Sequence, residues 1–268
     1  MAELLRFTML GCGSSPGVPR IGGEWGACDP AEPKNRRRRC SLLVQRISDA
    51  GVTNVLVDTS PDLRGQALDA GIATVDGVLF THSHADHIHG IDDLRGFVMN
   101  MRRRVDIYAD PATMARLNEA FRYCFETPPG SEYPPIANAH AIAANVEVTV
   151  GGPGGPVIAT PISQLHGRLM SLAFRFGGLA YSPDVNGLDE EAVEQLKGLD
   201  VWIVDALRRT PHPSHFSLDE ALEWIERVNP RRAVLTHMHV DLDYATLSRE
   251  LPAHVEPGFD GMVIELPA

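Results

Sequence analysis

Long apolar runs are missing from this 268-residue chain, and no stretch approaches the roughly 20 apolar residues that cross a bilayer. Cysteine is scarce. Cys12, Cys28, Cys40 and Cys124 lie far apart with no CxxC pair, which argues against a zinc knuckle and against a disulfide framework. Basic charge is in deficit: 24 Lys and Arg against 35 Asp and Glu leave a formal net charge of −11. That balance disfavours broad, sequence-independent binding to nucleic acid, and no stable nucleic-acid partner is expected. The start, MAELLRFTMLGCG, carries Glu3 and lacks a long apolar core, so it reads as a first strand and not as a signal peptide. The expected location is the cytoplasm, with no membrane association. Low-complexity tails and short-period repeats are also absent. What remains, 44% hydrophobic and 22% charged, is ordinary for a soluble globular protein and is read as a single domain over 1–268.

Apolar, β-rich runs recur along the chain: LLRFTML, SLLVQRI, NVLVDTS, GVLFTH, VDIYAD, VEVTV, LAFRFGGLAYS, VWIVDA, RAVLTH and MVIEL. Helix signatures lie between several of them. SPDLRGQALDAG offers Ser60 as cap, Pro61 in the first turn and Gly71 as stop. DPATMARLNEAFRYCFE carries Met114, Leu117, Phe121 and Cys124 near helical spacing, and SLDEALEWIERVNP opens with a capping-box pair, Ser217 and Glu220, and ends before Pro230. Many strands with fewer helices predict an α/β (α+β) fold of two mixed sheets covered by helices. VGGPGGPV near 150–157 is read as a turn, and ETPPGSEYPP (126–135) as an irregular loop. GCGSSPG (11–17) fails as a dinucleotide fingerprint because its spacing is GxGxxxG and no helix start follows. It remains a glycine-rich turn whose backbone amides could line a pocket. The one basic cluster, Arg36 to Arg39, is either a solvated loop or a local anion-binding patch.

The chemistry concentrates in THSHADHIHG, residues 81–90. In an extended segment residues two apart point the same way, so His82 and His84 can grip one ion, while Asp86 and His87 face another direction and can grip a second. Imidazole and carboxylate suit zinc, manganese or iron, and a cation between neutral imidazoles removes the penalty of crowding them. His89 lies beyond this pattern and is equally well structural or solvent-exposed. Two metals need more ligands, and His166, Asp184 and His237 follow other strand-like runs. A carboxylate from Asp184 could bridge two cations, with His166 completing one coordination shell and His237 the other.

In the order HxHxDH…H…D…H the chain resembles the metallo-β-lactamase superfamily. That likeness implies a four-layer αββα sandwich with a dinuclear site at the edge of its sheets. It implies that His82, His84 and His166 serve one metal, that Asp86, His87 and His237 serve the other, and that Asp184 bridges them. Asp58, in VLVDTS, matches the family's acidic residue at an early strand end, which orients ligand histidines. LGCGSSPGVP, RRRRCS, SHFSLDEAL and the terminal GFDGMVIEL look like the phosphodiesterase branch, whose members include enzymes that open a 1,2-cyclic phosphate on ribose. Within that branch His215 is implied as the general acid or base near the leaving group, with Asp86 and His215 the expected catalytic residues. His212 falls outside the match. The branch also makes a homodimer plausible. One departure stands out. Branch members with an extra structural zinc hold it by clustered cysteines and a histidine three residues past the last ligand, where this chain has only Cys28 and Val240, so no structural zinc is expected.

The expected activity is therefore metal-dependent hydrolysis of a small cyclic ribose or nucleotide phosphodiester. Water held between two divalent cations, Zn or Mn with Fe an acceptable substitute, becomes a hydroxide nucleophile near neutral pH. His215 supplies the leaving-group proton, and arginines of 36–39 could hold a second phosphate. The alternatives are an RNA 3′-processing endonuclease of the same superfamily and a non-catalytic metal-binding module.

Overall fold

Strand-forming sequence dominates the computed structural model, which describes residues 3–268. The first sheet contains β1 (Leu4–Gly11), β2 (Ser41–Ser48), β3 (Gly51–Val57), β4 (Gly77–Leu79), β5 (Val105–Ala109), β6 (Ala137–Ala141) and β14 (Val263–Pro267). Its order is β14-β1-β2-β3-β4-β5-β6. The second contains β7 (Val148–Val150), β8 (Val157–His166), β9 (Leu169–Phe176), β10 (Leu179–Ser182), β11 (Val201–Asp205), β12 (Arg232–Thr236) and β13 (Val255–Pro257), in the order β13-β12-β11-β10-β9-β8-β7. The helices are α1 (Leu63–Asp69), α2 (Ala85–Ile88), α3 (Leu94–Met101), α4 (Pro111–Phe121), α5 (Glu190–Leu196), α6 (Leu218–Val228) and α7 (Tyr244–Glu250). The chain divides into two compact units, one made of residues up to Thr8, Ser41–Ile158 and Val263–Ala268, the other of Met9–Cys40 and Ala159–Met262.

In the first unit β2 and β3 form an antiparallel hairpin, and β3, β4, β5 and β6 then run parallel. Leu43, Leu56, Val78, Phe80 and Ile107 are buried in it. In the second unit β8, β9 and β10 are antiparallel neighbours, while β10, β11, β12 and β13 run parallel. Here Phe174, Tyr181, Trp202, Ile203 and Val234 are buried, and the Trp202 indole donates to Ser182 Oγ at 3.0 Å. Parallel strands end on the same side, so residues at the carboxyl ends of β3 and β4, or of β10, β11 and β12, become neighbours.

Several local expectations hold. Ser217 and Glu220 form the capping box of α6, which ends at Asn229 in a left-handed conformation before Pro230. The helix read in DPATMARLNEAFRYCFE forms as α4, which ends at Phe121, with Arg122–Cys124 continuing as one 3-10 turn. The 151–156 segment is a turn, and 126–135 carries neither helix nor strand. All four cysteines are free and buried, and no helix among the described residues is long and apolar enough to cross a membrane.

Others are corrected. Ser60 does not cap α1, which begins at Leu63 behind Asp62; the Ser60 hydroxyl instead donates to Gln66 Oε1 at 2.8 Å. The glycine-rich turn spends its amides inside the protein: Cys12 donates to Asp260, Gly13 to Arg38 O, Ser14 to Met238 O and Gly17 to Ser14 O. The arginine run is neither a solvated loop nor an anion patch as a block. Arg36 is exposed, whereas Arg37 is 1% exposed and donates to the carbonyls of Leu242 (2.7 Å) and His239 (3.3 Å) and to Asn35 Oδ1. Arg38 pairs with Asp260. Cys28 and Val240 pack with Val18 and Trp25 in one apolar cluster.

Arg37 thus ties the loop before β2 to the segment after β12. Arg37→Met keeps the aliphatic stem but strands two buried carbonyls, so urea unfolding should give a loss of about 2–4 kcal/mol. A change within experimental error would mean that water replaces the guanidinium.

Candidate functional site

The first unit contributes a cluster at the tips of β3 and β4. The Asp58 amide donates to Leu79 O at 2.9 Å, which locks the two strand ends together. Asp58 itself takes a left-handed φ of 64°, a conformation that costs a non-glycine residue of the order of 1–3 kcal/mol. Three donors converge on its side chain: the Thr81 amide on Oδ1 (2.8 Å), and the Thr81 hydroxyl (2.8 Å) and His87 Nδ1 (2.7 Å) on Oδ2. Burial pushes the Asp58 carboxyl up from its usual range, while His87 and the hydrogen bonds from His87 and Thr81 pull it back down. A group accepting three bonds is the carboxylate, so His87 carries its proton on Nδ1 and presents the lone pair of Nε2.

The histidine-rich segment after β4 becomes one turn of helix, α2, with His84 at its N-cap. His82 and His84 lie with ring centroids 4.6 Å apart, and His82 and His87 with theirs 4.3 Å apart. His87 Nε2 is 3.6 Å from Asp86 Oδ2. His82, Asp86 and His87 are buried, and His84 is the most exposed of the four. His89 is exposed and lies edge-on to Phe121.

The second unit contributes a matching cluster. His166 is the last residue of β8, Asp184 follows β10, Asp205 ends β11 and His237 follows β12. Because β10, β11 and β12 are parallel, and β8 runs the same way two strands over, all four emerge at one edge. Asp184 Oδ2 lies 3.6 Å from His166 Nε2 and 3.5 Å from His237 Nε2. His166 Nδ1 donates to the Ser214 carbonyl at 2.6 Å, which fixes Nε2 as its lone-pair nitrogen. His237, like Asp58, is held at a positive φ, 58°.

His215 is stacked on His237, with rings 4.5 Å apart and 12° from parallel, and its Nδ1 donates to Asp205 Oδ2 at 2.7 Å. That oxygen also accepts from the Val185 amide at 3.1 Å. Sequence reasoning misses Asp205. Its one signal is that VWIVD, like VLVD at Asp58, ends an apolar strand on a carboxylate.

The donor set suits a divalent cation. Separations of 3.5–3.6 Å from His87 to Asp86, and from Asp184 to His166 and His237, are too long for hydrogen bonds. Two ligands about 2.1 Å from one tetrahedral ion lie about 3.4 Å apart. Each unit therefore offers imidazole and carboxylate donors at ligand spacing, with Nε2 selected by a bond at Nδ1 in both His87 and His166. Asp58→Asn would set an amide N–H against the donors it now accepts. Its zinc affinity, read by competition with a chelating dye, should fall about 10–100-fold. Unchanged affinity would detach Asp58 from metal binding.

Comparison with known proteins fits this geometry. The β-lactamase superfamily domain matches residues 53–238, more than half of the chain and every residue from Asp58 to His237. The chain belongs to the metallo-β-lactamase superfamily. A diphosphatase of the PhnP family is 34% identical, with a TM-score of 0.88 over 99% of this chain and 98% of its own. The superfamily's αββα fold class, with two mixed sheets, is therefore that of this chain. Zn(2+)-bound PqqB from Methylobacterium extorquens shares the fold at 19% identity, with a TM-score of 0.71 over 97% of this chain and 100% of its own. An octanoyltransferase from Porphyromonas gingivalis is 33% identical over 265 residues, 96% of this chain. The chain spans about half the length of that curated relative.

Proposed function

We propose that this metallo-β-lactamase-family chain is a metal-dependent hydrolase that cleaves a small phosphodiester, with a cyclic ribose or nucleotide phosphate as the substrate class. The residues that would hold the divalent cations are His82, His84, Asp86 and His87 in the first unit and His166, Asp184 and His237 in the second. The observation that carries the reading is the Asp205–His215 pair, an oriented imidazole beside Asp184 and His237. Bound divalent cations supply Lewis-acid polarisation of the phosphoryl oxygens and acidify the attacking water.

The protein's own residues handle the leaving group. Water adds across one P–O bond, and the departing oxygen needs a proton to leave as a hydroxyl. His215 gives that proton from Nε2 while Nδ1–H stays on Asp205, which holds the ring in one orientation throughout. Loss of the Nε2 proton leaves the neutral tautomer that the Asp205 bond selects, so no ring rotation is required.

The name of the PhnP-family relative supports a second reading, cleavage of a diphosphate. The two share attack at phosphorus and differ in the leaving group. The octanoyltransferase name implies acyl transfer, but this chain spans about half of that relative, so the name need not describe the shared half. Zinc- and manganese-loaded protein should be offered 5-phosphoribosyl 1,2-cyclic phosphate, a nucleoside diphosphate and an octanoyl thioester, with phosphorus NMR and thiol release as readouts. Opening of the cyclic ester to a monoester is the expected result. Release of inorganic phosphate from the diphosphate alone would favour the second reading. Cleavage of only the thioester would overturn both.

A further inference from the structure

His212 lies three residues before His215, in TPHPSH. The segment that carries it is fastened almost residue by residue. Arg208 donates through Nε to Thr210 O (3.0 Å) and through Nη2 to Pro211 O (2.7 Å). Asn186 Nδ2 donates to Pro213 O at 3.1 Å, and His166 Nδ1 to Ser214 O at 2.6 Å. Pro211 and Pro213 fix φ on either side of His212. Gly167, at φ 65°, allows the close approach of β8's end, since a Cβ there would sit 2.8 Å from Ser214 Cβ. The side chain that this fastened segment presents between the prolines is the imidazole.

That imidazole has a defined tautomer. The Ser214 amide, which can only donate, points at His212 Nδ1 at 3.4 Å, and the Ser214 hydroxyl lies 3.3 Å from the same atom. Nδ1 is therefore an acceptor, and the proton of the neutral ring sits on Nε2. The ring is partly exposed, with its centroid 5.2 Å from that of His215. Burial, and then the charges around it, of which the Arg208 guanidinium is the permanent one, hold the His212 pKa below its ordinary value. The Arg208 guanidinium in that neighbourhood favours an anion.

We infer that His212 is a substrate-binding residue, a neutral imidazole that donates Nε2–H to a non-reacting phosphoryl oxygen of the substrate beside His215. This rests on the proposed phosphoryl chemistry but gives the two histidines different roles. His215 moves a proton, and His212 only holds oxygen. Because it binds ground state and transition state alike, its loss raises KM and leaves kcat nearly unchanged.

The test compares metal-loaded wild type with His212→Ala and His212→Gln, the second retaining an N–H donor. Kinetics use bis(p-nitrophenyl) phosphate, and calorimetry measures binding of inorganic phosphate. In His212→Ala, KM and the phosphate dissociation constant should each rise about tenfold, with kcat changed less than about threefold and the melting temperature preserved. His212→Gln should recover most of the loss. Equal phosphate affinity in wild type and His212→Ala overturns the inference, as does a fall in kcat at constant KM or failure of wild type to bind phosphate. If wild type binds phosphate but hydrolyses no diester, the phosphodiester reading falls, and the calorimetry still decides the role of His212.

Discussion

His215→Ala should lower kcat on a phosphodiester with a poor leaving group by about 10²–10⁴-fold, the usual contribution of a positioned proton donor. The loss should shrink as the leaving group improves, because a stable departing anion does not need the proton. A p-nitrophenolate ester would therefore show the smallest effect and a ribose cyclic ester the largest. Asp205→Asn should fall in the same direction. An asparagine whose oxygen takes the place of Oδ2 still accepts from the Val185 amide and from His215 Nδ1, but it has no charge with which to stabilise the protonated ring, so the Nε2 proton is lost more readily before the leaving group needs it. Both variants should retain full metal content if their role is proton transfer. If His215→Ala is as slowed on the activated ester as on the ribose ester, His215 acts through the structure of the site and not as an acid.

Removing metal should abolish turnover and also soften the fold. Each unit buries carboxylates and imidazoles against one another: Asp86 and His87 in one, Asp184, His166 and His237 in the other. A cation that binds only the folded chain adds about 4 kcal/mol when free metal exceeds its dissociation constant a thousandfold. For a chain of this size that corresponds to a melting temperature roughly 8 °C or more above that of the stripped protein. Chelation followed by zinc or manganese addition should lower and then restore both the melting temperature and the activity. A protein that takes up no metal and melts unchanged could not work by metal-dependent hydrolysis.

The fold class is legible in the sequence, and so are the residues of the candidate site that lie close together in it. HxHxDH is local, so its spacing alone implies shared geometry, and strand-like runs mark where His166, Asp184 and His237 emerge. Asp205 has no such local partner, and its role depends on a bond to a residue ten positions later. Among the strands, β8 escapes a sequence reading although its burial alternates, because Pro161 and Gln164 interrupt the apolar character of VIATPISQLH. β6, ANAHA, and β13, VEP, carry almost no strand propensity and exist because parallel neighbours pair with them. The arginine run misleads for a related reason. Charge predicts exposure one residue at a time, whereas Arg37 is buried by carbonyls that arrive from residues 239 and 242.

The pairing of β1 with β14 carries a consequence for chain connectivity. Leu4 lies opposite Pro267 in an antiparallel ladder, and the Ala268 amide reaches Glu3 O at 3.3 Å. Residues 3 and 268 are therefore neighbours, and the chain between them leaves and returns at one place in the sheet. A short linker joining residue 268 to residue 3, with a new break in the 126–135 loop, would leave every strand neighbour in place. The same adjacency means that any segment joined before residue 3 and any joined after residue 268 would leave from the same edge of the sheet.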